Sequence, residues 1–171
     1  MAALAAIQLA QEVELPEAAE DAAESDGSGG PEGQPVPPPP FDSAGMLGSV
    51  AWLMMSSPAH KHLFITDFEW LVVPPILHKQ FRIWRRRNVP VAYACWAYLN
   101  EAAETRLRNG VRRLAPGEWK SGDNLWLVDL VAPFGGGEAA ARDLKETVFK
   151  GQRVKTLQPS PDGSGFAVVE W

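Results

Sequence analysis

His60 and Asp129 are the residues of this chain best suited to chemistry. The first is an imidazole just past a proline, in Ser56-Ser57-Pro58-Ala59-His60. The second is a lone carboxylate in the apolar run Leu125-Trp126-Leu127-Val128-Asp129-Leu130-Val131-Ala132. An imidazole titrates near neutral pH and can accept a substrate proton, while a neighbouring carboxylate fixes its tautomer and supports the imidazolium that forms. A carboxylate among apolar strand residues is costly to bury unpaired. A histidine standing alone is more often structural, so residue types and spacing by themselves leave packing and chemistry both open.

The other reactive groups have plainer readings. Ser57, three residues before His60, is a candidate nucleophile or supporting hydroxyl; its alternative role is to bond a free carbonyl at a helix end. Cys95, the only cysteine, is a second candidate thiol, but in a strand it reads as a small core side chain. With His60, His62 and His78 as the only histidines, a three- or four-ligand zinc pattern is not assembled, and no metal is expected. Gly135-Gly136-Gly137 before a helical stretch can present backbone N–H groups to an anion or serve as a flexible link.

These residues must be positioned by the elements around them. Met46, Leu47, Val50, Leu53 and Met54 recur at helical spacing, predicting a helix over 44–57 capped by Ser43 and stopped by Pro58, which leaves His60 just past its end. A second helix is expected from Thr66 or Asp67 to Lys79, interrupted at Pro74-Pro75. Strands are expected over 80–86 and 91–99, joined at Asn88-Val89-Pro90. The charge-rich segment 101–114 reads as a helix in which Glu104 and Arg108 support one another. The run 124–132 is apolar on both faces and should be a central strand. A helix over 138–149 and two strands, 153–157 and 166–171, complete an α/β (α+β) domain with a sheet of about five strands.

Composition separates an amino-terminal arm from this domain. Residues 1–42 hold nine acids and no Lys or Arg, and they end in a Gly-, Ser- and Pro-rich stretch, which predicts a disordered arm with a stiff polyproline end and at most a weak helix over 2–14. The chain carries 16 bases and 21 acids; without the arm, twelve acids face the same sixteen bases, so residues 43–171 carry about +4. Arg85-Arg86-Arg87 is the densest basic cluster, suited to an acidic protein or a loosely held anionic cofactor, though each arginine could equally sit in a solvated loop. A single cysteine excludes an intramolecular disulfide framework, and neither a secretory leader nor a run long enough to span a membrane is evident, so a cytoplasmic location is expected.

Three blocks carry a family likeness. Gly48-x-x-x-Trp52-Leu53 with Ser56-Ser57-Pro58-Ala59-His60, then Pro90-Val91-Ala92-Tyr93-x-x-Trp96-Ala97, then Trp119-x-Ser121-Gly122-Asp123-x-x-Trp126-x-x-Asp129-x-x-Ala132-Pro133-Phe134-Gly135, resemble the RTX-toxin-activating lysine acyltransferases in order and spacing over roughly residues 45–160. The resemblance implies a domain like the GNAT-type N-acetyltransferases, with a mixed, largely antiparallel sheet. It implies transfer of a fatty acyl group from acyl carrier protein, a donor substrate rather than a bound cofactor, to internal lysines of an RTX-type protoxin. It also implies His60 and Asp129 as the catalytic residues. Members of that family begin close to the first helix and continue for a further helical segment beyond the match to Phe166–Trp171.

On this reading His60 is the general base and Asp129 its orienting partner, with Ser57 supporting the site. Backbone donors near Gly122 or Gly135 would hold the oxyanion, and Arg85, Arg86 and Arg87 would meet the carrier protein. Trp52, Trp96 and Trp126 could line an acyl groove, although each reads first as a core aromatic. A homodimer is compatible with the resemblance, and nucleic acid is not an expected partner. Two rivals are an idle escort that binds a carrier or an RTX-type protein without catalysis, and an acetyltransferase-like enzyme using acyl coenzyme A.

Overall fold

The computed structural model describes residues 42–160 and 165–171. The expected arm, with its weak helix, lies outside the described residues except for Asp42.

Helix α1, Ser43–Ser56, is capped by Asp42, whose side chain accepts from the Gly45 amide at 2.9 Å. The cap is therefore one residue earlier than Ser43. Pro58 has the expected effect: Ser57 is extended at φ −94°, ψ 121°, as a residue before proline prefers. Instead of one interrupted helix, a short turn over Ile65–Asp67 leads to α2, Phe68–Leu71, and α3, Val73–His78. Pro74 and Pro75 occupy the first turn of α3, where a missing N–H costs nothing.

Strands β1, Phe81–Arg86, and β2, Val89–Leu99, form a hairpin whose turn residues Arg87 and Asn88 both have positive φ, +46° and +67°. Helix α4 runs over Glu101–Arg108, its Asn100 side chain accepting from the Ala103 amide at 2.8 Å. It stops six residues before the expected 114, because Gly110 adopts φ +91° and reverses the chain. Glu104 does not pair with Arg108 along this helix. It reaches across to Lys155 at 2.6 Å, an ion pair that joins α4 to the sheet.

Strand β3, Asn124–Val131, is the middle strand as expected, in the order β1-β2-β3-β4-β5. Helix α5, Gly137–Asp143, continues into a wider turn over Leu144–Val148 and returns the chain to β4, Lys155–Pro159, and β5, Phe166–Glu170. The pairing of β3 with β4 is parallel and the rest of the sheet is antiparallel, giving a mixed α/β fold. One core, including Val50, Leu53, Val72, Tyr93, Trp126 and Val131, fills the face covered by α1 to α4; a second, including Trp96, Leu125, Leu127, Leu144 and Phe149, fills the other.

Two irregularities of β3 position the site. Across β2, Cys95 faces Asp129 but the next pair is Trp96 with Leu127, so Val128 is an extra residue. Such a bulge resets the alternation of side chains. Leu127 and Leu130 consequently join one core while Asp129, opposite Cys95, lies on the other side with Trp126 and Val131. Across β4, the parallel ladder consists of a single pair, Trp126 with Lys155. Beyond it the two strands are no longer matched, and a cavity opens between them.

Candidate active site

His60 is presented by the turn that follows α1. The amides of His60 and Lys61 both donate to the Ser57 carbonyl, at 3.0 and 2.9 Å, folding the imidazole back over Ser57. Its Nδ1 lies 2.7 Å from Ser57 Oγ, and its Nε2 lies 3.2 and 3.1 Å from the two oxygens of Asp129. Asp129 Oδ1 also accepts from the Leu130 amide at 2.9 Å. All three side chains are buried: Ser57 is 3% exposed, His60 3% and Asp129 2%.

This connectivity assigns the tautomer of the neutral ring. A carboxylate only accepts, so Nε2 carries the hydrogen and donates it to Asp129; Nδ1 keeps the lone pair, and Ser57 Oγ–H donates to it. When the ring takes a proton at Nδ1, the Ser57 hydroxyl can turn and accept it. Burial by itself disfavours the imidazolium, but the charge of Asp129 and its hydrogen bond together outweigh this and hold His60 above its ordinary pKa of 6.5; the Arg112 guanidinium pulls the other way.

The pair opens onto a cavity of about 210 Å³. Its walls are largely apolar, formed by residues such as Leu63, Leu71, Leu107, Val128 and Leu157, with His60, Asp129 and Arg112 as its charged or titratable members. Walls of this kind suit an apolar group held beside a few polar ones.

The other candidates fall in different places. Ser57's hydroxyl faces His60, and its backbone carbonyl, not its side chain, serves the turn. Cys95 is wholly buried in the core, and its thiol is pushed well above its usual range, first by burial and then by the charge of Asp129. A thiol held protonated is a poor nucleophile. Gly122 precedes β3, near the end remote from Asp129, and its amide donates to the Tyr98 carbonyl at 3.1 Å. The Gly135 amide likewise donates to Ala132 at 3.2 Å. Both amides are therefore engaged within the fold.

Arg85, Arg86 and Arg87 end the β1–β2 hairpin, apart from the pair; Arg85 donates to Ser49 Oγ at 3.1 Å, and Arg86 and Arg87 are exposed. Trp126 lines the cavity and Trp96 packs edge-on against Phe149, but Trp52 is 51% exposed and is not a core aromatic. Among the described residues no three His, Cys, Asp or Glu side chains cluster as a metal site, and no helix is long and apolar enough to cross a membrane.

Arg112 is the site residue that sequence reasoning missed. The signal was present in Asn109-Gly110, a helix stop that frees the following residues to turn back toward the sheet.

Residues 40–171 match the RTX toxin acyltransferase family, the whole of the described fold. The chain belongs to that family. It is 33% identical over 112 residues to a leukotoxin-activating lysine-acyltransferase of Pasteurella haemolytica-like sp. (strain 5943B), covering 66% of this chain and 68% of the relative. It is 31% identical over 133 residues to a lysine-acyltransferase of Vibrio cholerae, covering 74% and 87%. Against a protein-lysine myristoyltransferase of Escherichia coli the identity is 41% over 90 residues, 53% of this chain and 52% of that one. An imidazole–carboxylate pair beside an apolar cavity is an arrangement that can serve acyl transfer.

Proposed function

We propose that this protein transfers a fatty acyl group from acyl carrier protein to the ε-amine of internal lysines in an RTX-type protoxin, in the cytoplasm before the toxin is exported. The observation that carries the reading is the buried His60–Asp129 pair at the wall of an apolar cavity, joined at 3.1 Å.

A lysine amine is protonated at neutral pH and is not a nucleophile until it loses a proton. His60 takes that proton at Nδ1, where the Ser57 hydroxyl stands, and Asp129 on Nε2 supports the imidazolium. The amine nitrogen bonds to the thioester carbon, whose carbonyl becomes an oxyanion. Collapse re-forms the carbonyl and breaks the C–S bond; the departing thiolate takes a proton from the imidazolium, and the nitrogen gives its remaining surplus proton to water, leaving a neutral amide and a thiol. No acyl-enzyme intermediate is needed, in keeping with a buried, protonated Cys95. The exposed Arg86 and Arg87 offer the carrier protein a contact that weakens as salt rises.

The test is a purified reaction of this protein, an acyl carrier protein loaded with a fatty acyl chain, and the protoxin, read by intact mass. A mass gain on lysine that vanishes with His60→Ala supports the reading. Transfer from acyl coenzyme A but not from the carrier changes the donor, and binding of the protoxin without any transfer would make the protein an escort.

A further inference from the structure

The proposed reaction generates an oxyanion, and the two amides that sequence reasoning offered to hold it, those of Gly122 and Gly135, already donate to backbone carbonyls. The cavity itself has another donor. Arg112 lines it together with His60 and Asp129, and its positive charge is felt at His60. Among the described residues no carboxylate pairs with Arg112, and no hydrogen-bond acceptor meets its guanidinium.

It lies over an aromatic face: the guanidinium carbon is 4.8 Å from the ring centroid of Phe166 in β5. Such a contact holds a cation without using up its hydrogen bonds. The segment that carries it is tied down on both sides, the Val111 amide before it donating to the Arg106 carbonyl at 3.0 Å. Leu114 is buried, Glu118 accepts from the Ala115 amide at 2.8 Å and pairs with Arg106, and Arg113 lies over Trp70. The one carboxylate of the cavity is already shared by His60 and the Leu130 amide, so a substrate carbonyl would be an acceptor for the Arg112 guanidinium.

We propose that Arg112 is a catalytic residue whose guanidinium meets the thioester carbonyl oxygen and holds the negative charge that develops there when the lysine nitrogen bonds to the carbon. Arg112 and His60 line the same cavity, and the charge of Arg112 is felt at His60, which favours the reacting carbonyl over a more distant anion of the donor as its partner. Charge placed in advance where it will be needed is among the largest contributions an enzyme can make to a transition state. This inference rests on the acyl-transfer reading above.

The experiment compares the parent protein with Arg112→Gln, Arg112→Met and Arg112→Lys in the acyl-transfer reaction. Arg112→Gln and Arg112→Met are expected to lower kcat by about 10²–10³-fold, with KM for the acyl donor changed less than about threefold. Arg112→Lys, which keeps the charge, should recover part of the loss. The acid limb of the pH profile supplies a readout that a merely structural residue would not move. Losing the positive charge makes His60 easier to protonate, so the limb should shift to higher pH in the two neutral variants and stay in place in Arg112→Lys. A parental kcat in folded Arg112→Gln overturns the inference and leaves the transferase reading intact, as does a loss confined to KM, which would put Arg112 on the donor's distant anion. Failure of both neutral variants to fold assigns Arg112 to the scaffold and also overturns it. A parent protein that transfers no acyl group from any thioester overturns the transferase reading, and this inference with it.

Discussion

His60 Nε2 stands 3.1 Å from Asp129 Oδ2 although 69 residues separate them in the chain. The carboxylate on one ring nitrogen and the hydroxyl on the other can be varied separately.

Removing the charge while keeping the shape is the most direct variation. Asp129→Asn should lower kcat by about a thousandfold or more, because the amide can no longer fix the tautomer or support the imidazolium. Without the carboxylate, burial is left to depress the His60 pKa, so the residual activity should have its acid limb at lower pH than the parent. A pH–rate profile of both proteins checks the two effects together; equal limbs would remove Asp129 from the pair's titration.

Activity and stability should respond to pH in opposite directions. His60 has a raised pKa in the folded state, so it binds a proton more tightly there than in the unfolded chain. That contribution to stability is fully present below about 6.5 and is lost as pH rises through the folded-state value. The neutral ring needed for proton acceptance forms over the same interval, so the rate climbs while this part of the stability declines. Urea denaturation at a series of pH values from 5.5 to 9 should show the decline, and His60→Gln should flatten it.

Ser57→Ala tests the group on the far side of the ring. Without the hydroxyl, Nδ1 loses its 2.7 Å partner and the imidazolium loses an acceptor for its new proton. We expect kcat to fall by about tenfold, with stability reduced by about 1 kcal/mol, the scale of one buried hydrogen bond. If the loss matched that of His60→Ala, Ser57 would be an obligatory carrier of the proton; measured kcat values for the two variants decide this.

Gly122→Ala should act on the fold and not on the pair. A Cβ there would come within 2.6 Å of the Leu99 carbonyl oxygen and 2.7 Å of the Asn100 backbone, neither of which can swing aside. A loss of about 1–3 kcal/mol is expected, the usual scale for overpacking, with the pH–rate profile unmoved in the protein that remains folded. Thermal melts and the profile, measured side by side, separate a scaffold glycine from one that serves the reaction.

The sequence by itself determined what acts over a few residues. Pro58 ends the first helix and extends Ser57, the apolar run of β3 marks the middle of the sheet, and the residue types of His60 and Asp129 single them out for chemistry. Periodicity, caps and proline geometry are local, and for that reason they can be read in one dimension. Glu104 pairs with Lys155 and not with its helical neighbour Arg108, and that partner is reached only through the packing of α4 on the sheet.

The tertiary structure decided the rest. Which face of β3 carries Asp129 depends on the extra residue Val128, and that bulge exists only in the register with β2. The cavity depends on β4 parting from β3 after a single pair, and Arg112 enters it only because the chain reverses at Gly110. A register or a strand separation is a relation between segments, and no pattern within either segment specifies it. The sequence named a histidine and a carboxylate. Folding placed them in contact, set a hydroxyl on the ring's other nitrogen, and put an arginine in the same cavity.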